Sequence, residues 1–428
     1  MSSRPTFEMV SEPSSMKLGI NGLGRIGKLS LWHQVERRYF AEVVVNIGRE
    51  AGTSLEDIAL FIEKDSVYGA LHNYLHGCRA QRVIEDLDER KGRMVINGTA
   101  VTILRRHRNP RDINWLDHGV ELALDATGQF RDPTLPADHD EGSLRGHLAA
   151  GARKVVVSAP FRISEKSSAM PDDAVTTIMG INEIDYDPTR HAIVSHASCT
   201  TTCLAFMLKP LIDSFGPKRF LSVSMATVHA STASQQVLDH LPQAGATDLR
   251  KNRSIFNNII LTSTGAAEAL AQVLPEMGQI PFIAESVRIP VSTGSLIILV
   301  ISFQEVPDKP WVDREQINDI YRRYSAQMPR GYLRYTEEQN VSNDIIGLYR
   351  VAATIEGQVT HTRTARVAVD LSQLIPMEVL ENIPETRVEV PITKAVVYGW
   401  YDNELGSYSN LLGDRVVTMA ESMHSQPG

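Results

Sequence analysis

The sequence predicts an α/β protein of two domains: a doubly wound parallel sheet, then an α+β domain with a largely antiparallel sheet. Three observations predict it. A strand, glycine turn, helix and second strand open the chain; strand and helix signals alternate to about residue 197; longer strand runs follow. A length of 428 residues is enough for two separate cores.

Residues 1–15 are polar, carry Pro5 and Pro13, and read as a disordered extension without the apolar stretch of a secretory signal. Lys17–Asn21 is a short strand running into Gly22-Leu23-Gly24-Arg25-Ile26-Gly27. Ile26, Leu29, Leu31, Trp32 and Val35 then supply the apolar side of a helix, and Glu42–Asn46 is the next strand. That is a βαβ unit carrying the dinucleotide fingerprint, so the first sheet is expected to be Rossmann-type. Met94–Ile96, Val101–Leu104, Leu122–Asp125 and Lys154–Ser158 continue it, with a helix at Leu144–Ala150, giving a dinucleotide-binding domain over 16–197. Leu221–Val228, Ser295–Gln304, Arg363–Asp370 and Lys394–Tyr401 predict the antiparallel sheet of a catalytic domain over 198–402. Leu411–Met423 reads as a terminal helix in a tail, 403–428, that completes the first domain. Ile345–Pro391, with its Ile375-Pro376 and Ile383-Pro384 steps, reads as a surface insertion.

A net charge of −8 argues against a broadly basic nucleic-acid-binding surface. The longest apolar run, Leu296–Phe303, is too short to span a bilayer and reads as a buried strand. Three cysteines, Cys78, Cys199 and Cys203, fit a reducing compartment, so a cytoplasmic location is expected. No Cys–His cluster has zinc spacing, and no metal is expected.

In the fingerprint Gly22 permits the tight turn, Gly24 lets the backbone approach a pyrophosphate, and Gly27 lets helix pack on strand. The second strand ends Asn46-Ile47-Gly48-Arg49-Glu50, without the usual carboxylate for the adenosine ribose. A 2′-phosphate then meets less repulsion; Arg49 either attracts it or points into solvent, so NADP stands beside NAD. Ser198 is a plausible cap for the helix Leu204–Leu211, which puts Cys199 in a first turn where N–H groups and helix dipole favour a thiolate. Cys203, one turn on, reads as packing. His229, at the end of a strand in Thr227-Val228-His229-Ala230-Ser231-Thr232, is a base of suitable pKa for such a thiol.

These segments, with Ser263-Thr264-Gly265-Ala266-Ala267, Arg288-Ile289-Pro290 and Trp400-Tyr401-Asp402-Asn403-Glu404, recur in an order that resembles phosphorylating glyceraldehyde-3-phosphate dehydrogenase over about residues 16–423. Ala197-Ser198-Cys199-Thr200-Thr201 is highly specific to that family. The resemblance implies that Cys199 attacks the aldehyde, that His229 takes the hydroxyl proton as hydride leaves, and that inorganic phosphate cleaves the thioester. It implies a substrate-phosphate pocket at Thr232 and Arg288, and a pocket for the attacking phosphate at Ser198, Thr200, Thr264 and Gly265, with Arg253 counted among the phosphate ligands. For the dinucleotide it implies Gly22, Gly24, Arg25, Ile26, Gly27, Asn46, Arg108, Thr127, Gly128, Ser158 and Asn403. Leu241-Pro242 matches a pair that crowds a neighbour's ribose in NAD-preferring members, so NAD leads. A homotetramer is likewise implied, with the terminal helix packed back on the dinucleotide domain.

The chain departs from the family at several places. Ile47 replaces an Asp, His196 and Thr202 each replace an Asn, Lys251 stands where many members place Arg, and Leu405-Gly406-Ser407-Tyr408 carries an extra residue. Extra length falls around Gln129–Arg145 and Ile345–Pro391. Two other readings use the same residues: a sibling hydrolysing the thioester of erythrose 4-phosphate, and a catalytically quiet regulatory or RNA-binding relative. Retention of both Cys199 and His229 opposes the second.

Overall fold

A computed structural model describes residues 14–165, 167–380 and 385–424. Most of the expected N-terminal extension, and the Ile383-Pro384 step, lie outside the described residues. The chain divides into two compact units, one of residues 1–199, 346–350 and 404–428 and one of 200–345 and 351–403.

The first unit holds a nine-stranded sheet. Its centre is β1 (Ser14–Asn21), paired in parallel with β2 (Phe40–Asn46) on one side and with the strand Val120–Asp125 on the other. Beyond Val120–Asp125 come Lys154–Val157, Ile193–Ser195 and Ala174–Thr176, all parallel. Beyond β2 lies Thr99–Leu104, parallel, and then Arg93–Ile96 and Ile84–Asp88, which run antiparallel. β1 begins at Ser14 rather than Lys17, because the Ser14 amide donates to the Tyr39 carbonyl (2.8 Å). Leu18, Ile20, Val43 and Val45 are fully buried, the continuous apolar pattern of strands covered on both faces. The helix α1 (Arg25–Arg37) covers one face, and its Trp32, also fully buried, satisfies its indole N–H on the Ile62 carbonyl at 2.8 Å.

The second unit is built on an eight-stranded sheet ordered Ile260–Thr262, Phe282–Ile289, Phe220–Ala230, Ser295–Gln304, Arg387–Tyr401, Ala353–Glu356 and Leu333–Thr336, with His361–Asp370 added against Arg387–Val396. Along Ser295–Gln304, Ile297, Leu299, Ile301 and Phe303 are fully buried while their alternates are half-buried, so one sheet face carries the core. The expected surface insertion needs correction. Ile345 is buried, and Ala353–Glu356 is a fully buried strand, parallel to Leu333–Thr336 and antiparallel to Thr354's and Ile355's partners Trp400 and Gly399. The physical reason is local: Val351-Ala352-Ala353-Thr354-Ile355 is apolar and β-branched, and the prolines that signalled a surface lie downstream of it. The strand from His361 is exposed along most of its length, where it pairs with Arg387–Val396.

Candidate active site

The turn after β1 is shaped by backbone contacts. Gly22 has φ +95°, its amide donates to the Asn46 carbonyl (2.8 Å), and the Asn21 carbonyl accepts from Ala126 (2.8 Å). A Cβ on Gly27 would lie 1.9 Å from the Gly22 carbonyl oxygen, so only glycine lets α1 start this close to the turn. A Cβ on Gly24, the residue capping α1, would meet nothing within 4 Å. That open space before a helix N-terminus is a cradle for an anion. Arg25, first in α1, turns its side chain away to ion pairs with Asp65 and Glu404, whose charges push its pKa further up against the opposing effect of burial. Ile26 packs against the core.

Beside this turn lies a cavity of about 290 Å³ lined by Gly22, Asn46, Ile47, Arg49, Arg108 and Thr127 among others. Asn46 is buried and its amide nitrogen donates to Asn21 (2.8 Å) and to the His107 carbonyl (2.9 Å); its Oδ1 has no partner among the described residues. Asn21 in turn donates to Asp125 (2.8 Å), which also accepts from the Thr127 hydroxyl (2.7 Å) and touches His147 Nε2 (3.0 Å). Gly128 continues that loop at φ +67°, and the Ser158 amide donates to the Asp125 carbonyl (2.9 Å). An orphaned buried acceptor at one end and an open glycine cradle at the other fit the ribose and pyrophosphate of a dinucleotide.

Cys199 is the first residue of the helix Cys199–Phe215 and is partly buried. Just before it, Ala197 sits in the left-handed region (φ 51°), a conformation costing a non-glycine residue roughly 1–2 kcal/mol. It is held there by its amide donating to Ser195 Oγ (3.1 Å) and its carbonyl accepting from the buried Tyr408 hydroxyl (3.1 Å). Burial, and then the charge of Cys199, push the Tyr408 phenol well above its ordinary pKa, so it stays a donor. His196 is fully buried against the Tyr408 ring, and burial, then the Arg415 charge, drop its pKa to about 3.

In the second unit Tyr401 ties the helix to the strand that carries the histidine. Its hydroxyl is 3.0 Å from that of Thr200, next to Cys199, and 2.9 Å from that of Thr227, two residues before His229. The Tyr401 ring also meets His229 edge-on at 5.9 Å. His229 places Nδ1 2.8 Å from the Ala230 carbonyl, and Arg288, which donates to that carbonyl at 3.1 Å, flanks the same edge. Burial first, and Arg288 second, lower the His229 pKa to about 4. Asn403 is buried, with Oδ1 accepting from Thr293 (3.0 Å) and from Ser295 (3.1 Å); Ser295 Oγ in turn accepts the Ala230 amide at 3.0 Å.

The structure thus gathers Thr200, His229, Arg288 and Asn403 around Tyr401 and Ser295. Thr264 and Gly265 stand at the start of the helix Ala266–Val273, with Gly265 as its cap and Thr264 Oγ1 accepting the Ala266 amide (3.2 Å). Thr232 is occupied locally by Gln235 (2.8 Å at its amide). Arg253 pairs with Asp239 (3.0 Å) on the surface, where such a pair adds little. Sequence reasoning missed Tyr401, Ser295, Thr293 and the αL Ala197. Tyr401 and Ala197 lie within motifs whose signal belongs to neighbouring residues; nothing in the composition around Thr293 or Ser295 marks them.

Residues 16–133 match the family model for the glyceraldehyde 3-phosphate dehydrogenase NAD-binding domain, and 198–372 that for the C-terminal domain. The chain is 32% identical over 410 residues to glyceraldehyde-3-phosphate dehydrogenase 2 of Streptomyces avermitilis, covering 96% of this chain and 100% of that one. It is 33% identical over 411 residues to glyceraldehyde-3-phosphate dehydrogenase 1 of Bacillus cereus (96% and 99% covered). It is 34% identical over 408 residues to glyceraldehyde-3-phosphate dehydrogenase of Priestia megaterium (95% and 98%).

Proposed function

The chain belongs to the glyceraldehyde-3-phosphate dehydrogenase family, and from that premise we propose that it oxidises glyceraldehyde 3-phosphate with NAD and inorganic phosphate to 1,3-bisphosphoglycerate. Cys199 adds its thiolate to the aldehyde carbon, at a helix start whose N–H groups favour negative charge on sulfur and on the oxyanion. His229 takes the hydroxyl proton as the hemithioacetal loses hydride. The dinucleotide, when bound, supplies the hydride acceptor; Asn46 and the turn at Gly22, Gly24 and Gly27 would hold it, with Asn403 toward the nicotinamide amide. Inorganic phosphate then attacks the thioester carbon, the C–S bond breaks, and the Cys199 thiolate is regenerated.

The observation that carries the reading is the Thr200–Tyr401–Thr227 bridge, which ties the residue beside the nucleophile to the strand of the base. Arg288 beside His229 supplies a cation for the substrate phosphate, and Thr264 with Gly265 supplies hydroxyl and N–H donors for the attacking one. Ser198, Thr200 and Thr232 complete these sets, with Arg253 released from its surface pair. A homotetramer is part of the proposal, supported by exposed Leu241, Phe256, Ile259 and Ile283, too much apolar surface to leave in water. No helix among the described residues is long and apolar enough to cross a membrane, and cytoplasmic operation is proposed. Mass spectrometry after mixing enzyme, NAD and glyceraldehyde 3-phosphate without phosphate tests the chemistry: the acyl adduct is expected on Cys199. An adduct elsewhere, or none with rapid hydrolysis, overturns it.

A further inference from the structure

A larger cavity, of about 700 Å³, lies in the first unit beside the dinucleotide cleft, walled by the segments 129–143 and 162–164. Its volume falls in the range of small-molecule sites, about 300–1,000 Å³. We propose that it binds a nucleoside polyphosphate, with Arg131 and Arg162 on the phosphates and Phe130, Leu135 and Ile163 against the base. This site is additional to the cleft of Gly22 and Asn46, with which it shares only the wall of Gln129 and Phe130.

Backbone contacts bring the two arginines side by side. The Arg162 amide donates to the Arg131 carbonyl (2.9 Å), and the Ser164 amide donates to the Asp132 carboxylate (2.6 Å). Asp132 turns its other oxygen to the Thr134 amide (2.9 Å) and hydroxyl (2.6 Å), so it neutralises neither arginine directly. Neither guanidinium has an ion-pair or hydrogen-bond partner among the described residues. Two like charges on adjoining segments repel until an anion bridges them, and guanidinium takes phosphate oxygens in pairs.

The opposite wall falls in the extra length around Gln129–Arg145, and it is held at several points. Gly142 has φ +88°, and a Cβ there would lie 2.7 Å from the Phe130 ring and 2.7 Å from Pro110 Cδ. Only glycine lets the loop close over Phe130 at that distance. Ser143 donates to the Pro136 carbonyl (2.8 Å), Arg111 to that of Asp138 (2.9 Å) and Arg145 to that of Pro133 (2.9 Å). A wall anchored this way loses little freedom when a ligand enters. His139 lines the cavity with Nδ1 buried and without a partner among the described residues, a polar atom that the edge of a base would satisfy. Phe130, Leu135 and Ile163 supply the apolar area for a flat ring. The remaining carboxylate of the lining, Glu141, is exposed and suits the hydroxyls of a ribose.

Calorimetric titration of the full chain with ATP, after saturation with NAD, tests this while the dinucleotide cleft is filled. One equivalent of ATP is expected to bind, and inorganic tripolyphosphate at least about tenfold more weakly, because it lacks the base. Arg131→Ala and Arg162→Ala should each weaken ATP by about tenfold or more, the loss of a charge-assisted contact, and leave NAD binding in place. No ATP binding to the NAD-loaded chain would overturn the site, as would ATP that displaces NAD or that ignores both substitutions. Tripolyphosphate binding as tightly as ATP would overturn the nucleoside assignment. Failure of NAD itself to bind would fault the dinucleotide reading alone, and ATP titration of the two arginine variants would still decide the second site.

Discussion

Two glycines three residues apart in the first turn should respond oppositely to alanine. At Gly24 the new methyl meets no atom within 4 Å, and φ of −73° suits any residue. Losing glycine's unfolded-state entropy stabilises by about 0.4–1 kcal/mol, and a poorer helix cap costs a similar amount, so the unfolding free energy should stay within about 1 kcal/mol. The methyl does occupy the space a pyrophosphate needs. Overpacking of this size costs about 1–3 kcal/mol, which is roughly a 5- to 150-fold loss of NAD affinity. At Gly27 the methyl would sit 1.9 Å from the Gly22 carbonyl oxygen, about 1.5 Å inside ordinary contact, with backbone as the obstacle. Gly27→Ala should therefore destabilise the fold by about 3 kcal/mol or more. Urea unfolding and calorimetric NAD titration of both variants measure the two effects separately. Gly24→Ala binding NAD as tightly as the parent would refute the placement of the pyrophosphate in this turn.

His229→Gln should lower kcat by about 10²–10⁴ with the fold intact, read by steady-state kinetics and circular dichroism; a loss under tenfold would remove His229 as the base. Asp414 holds Arg37 (2.9 Å) and Arg350 (3.2 Å) in a nearly water-free setting. Asp414→Asn leaves the buried Arg37 and the partly buried Arg350 guanidinium short of a charge, at a cost of about 3–5 kcal/mol, lowering the first thermal transition by roughly 10 °C; a shift under about 2 °C contradicts this. His196 and His229 have folded pKa values near 3 and 4, below the unfolded value near 6.5. Between those limits the unfolded chain binds more protons, so their stabilisation is complete above pH 6.5 and declines as pH falls toward 4, by about 1.4 kcal/mol per pH unit per histidine. Urea midpoints at pH 7, 6 and 5 should fall in step, and less steeply in His196→Asn; a constant midpoint refutes the assignment.

The dinucleotide half was legible because its physics is local. Gly22, Gly24 and Gly27 act through neighbouring backbone, and the alternation of strand and helix signals extended the sheet to Lys154–Val157, though not to the three-residue strands Ala174–Thr176 and Ile193–Ser195. Cys199 and His229 were legible as a helix start and a strand end. What links them was not. Tyr401 reaches Thr200 and Thr227 across intervals of 201 and 174 residues, and no periodicity encodes such a contact. The strand Ala353–Glu356 was hidden differently: the prolines beyond it outweighed a short apolar run, whose partner Trp400 is distant in sequence. Ala197 carries no signal of its left-handed backbone, since the hydrogen bonds from Tyr408 and to Ser195, and not its side chain, hold it there.

Reduction of NAD by the purified protein with glyceraldehyde 3-phosphate, with and without inorganic phosphate and beside Cys199→Ser, tests the central claim most directly. The account predicts phosphate-dependent reduction that falls at least about a thousandfold in the variant. Steady reduction that needs no phosphate, or that survives loss of the thiol, would contradict it.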